Sequence, residues 1–140
     1  MAREMQAFEN SIETGNGVIR SETNLAFHKA IAAAAGNPYI SDFYETALIG
    51  TIRLARACFS GAQEFGTGEP DAELQAHLAK TVGEHRNIYD AIQRRDVEAA
   101  DRLAVDHYVL TKQRIMKVLS AQSPALAGMG DLSLDSWARA

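Results

Sequence analysis

Three histidines stand where leucines would be expected. His28 falls in the series Leu25, His28, Ile31, Ala32, Ala35. His85 continues Leu74, Leu78, Val82, and His107 lies between Leu103 and Leu110. Each series recurs at spacings of three and four, so each reads as the apolar face of a separate helix. One buried histidine is most often a hydrogen-bonded core residue. Three without partners would carry the desolvation penalty three times, and a cation shared between their lone pairs removes it in one step. Asn24, one turn before His28, shares its face and adds a side-chain oxygen. Three imidazoles and an amide oxygen suit a Zn²⁺, Ni²⁺ or Fe²⁺ ion better than Ca²⁺ or Mg²⁺. All four ligands are neutral, so the ion would keep its charge and attract an anion, a carboxylate being the natural guest. Arg53 and Arg56 are candidates to pair with it, although their helical angle fits plain surface charge equally well. His77 lies about 80° off the stripe of His85 and is given an exposed or flanking role. Glu84 and Asp106, each directly before a histidine, are expected to point elsewhere and be solvated.

These residues need helices to hold them. Apolar positions from Leu74 to Ile92 and from Ala100 to Leu119 form two amphipathic segments separated by Arg95-Asp96. Asp96 suits the N-cap of the second, with Glu98 in its first turn. So short a break folds the pair into an antiparallel hairpin. His85 lies eleven positions before Asp96 and His107 eleven after it, which sets both at the same height, roughly 15 Å from the turn. Upstream, Met5, Phe8 and Ile12 mark a first helix ending before Gly15-Asn16-Gly17. A second is expected to start near Ser21, with Ser21, Glu22 and Thr23 as cap candidates, and to end at Gly36-Asn37-Pro38. A third runs from about Tyr39 to Phe59 on a stripe of Ile40, Tyr44, Ala47, Leu48, Thr51, Ala55 and Cys58. Ile49, Ile52 and Phe59 lie off that stripe and suggest a self-association surface. A loop from Gly61 to Pro70 precedes the hairpin.

The fold class is therefore all-α, an antiparallel helical bundle over residues 1–121. A tail over 122–140, carrying Leu126, Met129, Leu132, Leu134 and Trp137, is expected to be mobile or docked. A net charge of −4 argues against a nucleic-acid surface on this piece. One cysteine, Cys58, forms no internal disulfide, and no apolar run spans a membrane, which points to the cytoplasm. There is no phosphate loop, no Cys-x-x-Cys, no nucleophile elbow and no His-Glu-x-x-His. No general base is identifiable beside the histidines. A metalloenzyme with an open ion position is therefore the alternative reading, and a dimerisation module with hydrogen-bonded histidines is a third.

Taken together, Asn24-Leu25-Ala26-Phe27-His28, Ala35-Gly36-Asn37-Pro38, Glu84-His85-Arg86 with Ala91-Ile92 and Asp96, and His107 resemble the FCD domain. That is the C-terminal effector-binding domain of one branch of GntR-family bacterial transcription regulators. The resemblance covers roughly residues 5 to 119. It implies a helical bundle that holds a metal through an Asp or Asn and three histidines, here Asn24, His28, His85 and His107 by motif position. It also implies a small organic acid bound at or beside the metal, a homodimer, and control of attached winged helix-turn-helix domains on DNA. The usual aspartate is Asn24 here, which should weaken the metal's hold. No winged helix-turn-helix precedes the motif, so DNA binding is expected only through such a domain outside these residues, and the chain is expected to be a fragment or a stand-alone module.

Overall fold

A computed structural model describes residues 1–59 and 72–122. The expected Gly61–Pro70 loop, the tail from residue 123 and the Phe59 side chain lie outside the described residues. The described residues form five helices: α1 (Ala2–Glu13), α2 (Gly17–Ala34), α3 (Pro38–Phe59), α4 (Ala72–Gln93) and α5 (Val97–Gln122). No strand occurs among the described residues, and no helix there is long and apolar enough to cross a membrane.

Local chemistry sets the helix ends. The second helix begins at Gly17, a turn earlier than the sequence reading placed it. The Asn16 side-chain oxygen accepts from Val18 N (2.9 Å) and Ile19 N (3.1 Å), so Asn16 is the cap. Ser21 and Thr23, taken for cap residues, instead donate back to the Gly17 and Ile19 carbonyls inside the helix. Gly36, at φ +70°, closes α2, and the Asn37 side chain caps α3 through Ile40 N.

The α4–α5 turn spans only residues 94–96. Asp96 N donates to Ala91 O and Arg95 N to Ile92 O, the bonding pattern that ends a helix on a left-handed residue. Arg95 is that residue, at φ 58°. Asp96 then caps α5 by accepting from Ala99 N at 3.0 Å. One aspartate thus ends one helix and starts the next, and the hairpin follows.

The principal packing pairs are α1 with α2, α2 with α3, α3 with α5, α5 with α4, and α4 with α1. The helices close a ring about one core of Met5, Phe8, Phe27, Leu48, Leu74, Leu78, Ile88, Ala91 and Ile115. Burying each large side chain there contributes about 1.5–3 kcal/mol. Thr23 Oγ1 lies 3.0 Å from the buried Ser11 Oγ and ties α2 to α1, while an Arg86–Glu9 ion pair ties α4 to α1.

The third helix packs with only part of the expected stripe, Leu48, Ala55 and Cys58, together with residues beside it. Leu48 is buried and Ile52 and Ala55 are half-buried, whereas Ile40, Ala47 and Thr51 of the expected stripe are exposed. Ile49 and Ile52, read as surplus apolar surface, are half-buried. The exposed apolar residues lie instead near the helix start, at Tyr39 (85%) and Phe43 (78%). Its apolar residues spread well beyond one stripe, so periodicity alone does not fix its phase. Its packing on α2 does.

Candidate metal centre

Because α2 is not a principal neighbour of α4 or α5, His28 meets the hairpin histidines across the middle of the ring. The ring centroid of His85 lies 4.8 Å from that of His28 and 4.7 Å from that of His107. One ligating nitrogen from each of His28, His85 and His107 falls within 4.8 Å of the others. His85 Nε2 and His107 Nε2 are 3.3 Å apart. Two imidazoles on one tetrahedral zinc, at about 2.0–2.1 Å each, place their nitrogens about 3.3 Å apart. The hairpin pair therefore has the spacing an ion needs.

Aromatic packing holds the central ring. His85 is fully buried, with the rings of Phe8 and Phe27 each centred 4.8 Å away. Burial, followed by the neighbouring His28 and His107, pushes the His85 pKa far below its usual value. Burial and then His107 lower that of His28 to about 3. Both rings are therefore neutral at physiological pH and keep the lone pairs that ligation requires.

Two atoms show what such a core lacks. Asn24 Oδ1 and His85 Nδ1 are buried with no hydrogen-bond partner. An unsatisfied buried polar atom costs about 1–3 kcal/mol. An oxygen so placed, one turn from His28, fits a fourth donor to a shared ion. The donor set suits a borderline divalent metal, and the residues present fit one.

The outer edges of two rings are occupied. His107 Nδ1 lies 2.8 Å from Glu84 Oε2, and His28 Nδ1 lies 3.4 Å from the Tyr44 hydroxyl. Glu84 is the clearest departure from the sequence reading. Its side chain is only 15% exposed, and Arg114 Nη2 donates to Oε1 at 2.8 Å. One position on a helix turns about 100°, so where His85 faces the interior, Glu84 faces α5 at the height of His107. The hairpin register contains that signal. Asp106 is exposed, as expected.

Beside Asn24 a cleft of about 80 Å³ opens, walled by Phe8, Arg20, Ile52, Arg56, His77 and Thr81 among others. Arg56 is on its wall. Arg53 is exposed on α3 and is not among the lining residues. His77 is half-buried there, and burial, then the charge of Arg114, lowers its pKa to about 4. Arg20 was not singled out from the sequence. Arg20 and Arg56 both lie on the cleft wall, and no carboxylate occurs among the described lining residues.

The comparisons agree with this architecture. The FCD domain family model matches residues 1–110. The HTH-type transcriptional repressor NanR of Citrobacter rodentium is 30% identical over 107 residues, covering 76% of this chain and 36% of that protein. The chain thus matches little more than a third of that repressor's length. No solved structure matches. With its ring of helices, its convergent histidines and a family match over most of its length, this chain belongs to the FCD domain family of GntR-type transcription regulators.

Proposed function

We propose that this chain is a ligand-sensing module that holds a divalent transition metal (zinc, nickel or iron) through Asn24, His28, His85 and His107, and takes a small organic acid in the adjoining cleft. The observation that carries the reading is the convergence of three imidazole nitrogens within 4.8 Å, together with an unpartnered buried oxygen on Asn24, one turn before His28. When bound, the ion supplies a positive centre for a carboxylate. The chain's own residues do the rest: Arg56 and Arg20 favour the anion by charge, and Phe8 and Ile52 give the cleft an apolar side. Arg53, off the cleft wall, is left with a peripheral role at most.

The organic acid biases the geometry of a homodimer, and DNA binding belongs to a helix-turn-helix part of the kind named in the NanR repressor. Exposed Tyr39 and Phe43 on α3 support self-association. Elemental analysis of the purified chain, followed by thermal-shift measurements with small carboxylates with and without zinc, tests the proposal. Bound metal and a carboxylate-dependent rise in Tm that needs the metal are expected. A chain that binds neither would refute it.

A further inference from the structure

We infer that Glu84 and Arg114 are positioning residues that fix the ring of His107, keeping its Nδ1 protonated and its Nε2 lone pair turned toward His28 and His85. The inference rests on the metal reading for its purpose, but its geometry stands apart from any ion.

The His107 ring has two nitrogens with different neighbours. Nε2 lies 3.3 Å from His85 Nε2, on the interior side. Nδ1 lies 2.8 Å from a Glu84 carboxylate oxygen, on the outer side. An ionised carboxylate only accepts, so the nitrogen that meets it must carry the hydrogen. A neutral imidazole has one N–H, and its other nitrogen is then an open lone pair. Glu84 therefore selects the tautomer in which Nε2 can ligate.

Glu84 is itself held. Arg114 Nη2 donates to Oε1 at 2.8 Å and Arg114 Nη1 lies 3.5 Å from Oε2, so the guanidinium faces both carboxylate oxygens. The same Nη1 donates to Thr81 Oγ1 at 3.3 Å. Thr81, Glu84, His107 and Arg114 thus form a chain of contacts between α4 and α5 with defined donors and acceptors. All three charged or ionisable side chains of that chain are at most 17% exposed, where such bonds are stronger than at the surface. Thr81 also belongs to the cleft wall. Glu84 approaches the ring edge away from the shared nitrogens, and it is not one of the residues whose ligand atoms converge. It orients a ligand and is not one itself.

The test is nitrogen-15 NMR of the histidine side chains in the full chain, zinc-free and at mildly alkaline pH, combined with zinc titration. In the unaltered protein His107 is expected as the Nδ1–H tautomer. An Nε2–H tautomer there would overturn the inference without any variant having to fold. In Glu84→Ala the tautomer population should shift toward Nε2–H and zinc affinity should fall about 10–100-fold. Glu84→Gln, which keeps an acceptor oxygen, should restore much of both. Zinc binding with a tautomer indifferent to Glu84→Ala would refute the positioning role. A Glu84-dependent tautomer in a chain that binds no zinc would uphold it and refute the metal reading.

Discussion

His85 Nε2 and His107 Nε2 face each other at 3.3 Å across the α4–α5 hairpin, with His85 sealed between Phe8 and Phe27. A leucine at position 85 would fill a similar space without a buried, unpartnered nitrogen. His85→Leu is therefore expected to stabilise the zinc-free chain by about 1–3 kcal/mol and to abolish metal binding. Urea unfolding in EDTA and elemental analysis measure the two effects. A destabilised variant would mean that His85 Nδ1 has a partner in solution.

Asn24→Asp adds a negative donor to a neutral set. Zinc affinity should rise, and the zinc-free chain should lose stability, because a buried carboxylate without a cation is poorly solvated. Calorimetric titration and thermal unfolding give the pair of readings. Unchanged zinc affinity would place Asn24 outside the ligand set.

Acid should unfold the zinc-free chain through its histidines. Burial lowers His28 to about 3 and His77 to about 4, against an unfolded value of about 6.5. Below that value the unfolded chain binds more protons than the folded one. Stability is thus complete above about 6.5 and declines as pH falls toward the folded values. For His28 alone the loss is on the order of a few kcal/mol. Replacing it by leucine should flatten the decline between neutral pH and the folded value, seen as a smaller change in urea midpoint across that window. An equal slope in both proteins would show that His28 is not held neutral.

At the hairpin turn, Arg95 occupies the left-handed region at φ 58°, where a Cβ is unfavourable. Arg95→Gly should stabilise by about 0.5–1 kcal/mol, and Arg95→Val should destabilise. Equilibrium unfolding of both distinguishes this from a turn that relaxes in solution.

Self-association should depend on the start of α3. The unaltered chain is expected to sediment as a dimer and Phe43→Glu as a monomer. A dimer that survives this change uses another surface.

The hairpin, the placement of its two histidines at one height and the all-α class were legible because helical period and a short turn leave little freedom. The convergence of His28 with them followed from its place on an apolar stripe. The facing of α3 was legible only in part, through Leu48, Ala55 and Cys58, since Ile40, Phe43, Tyr44, Leu48, Ile49, Ile52 and Leu54 spread its apolar residues well beyond one stripe. The start of α2 was missed because Asn16, between two glycines, reads as a breaker rather than a cap. Glu84 was misread for a subtler reason: a residue beside a buried one faces solvent on an isolated helix but faces a neighbour in a bundle. Only the pairing of α4 with α5 tells the two cases apart.

More than fifty residues separate His28 from His85 along the chain, and this distance bears on folding. An ion held by both would close a long loop and restrict the disordered ensemble much as a covalent cross-link does. Occupancy and folding then become one equilibrium. At a free ion concentration a hundredfold above Kd the folded state gains about 2.7 kcal/mol, a substantial share of the 5–15 kcal/mol that holds a typical domain together. For such a chain a chelator acts as a mild denaturant, and the melting temperature reports the logarithm of available metal.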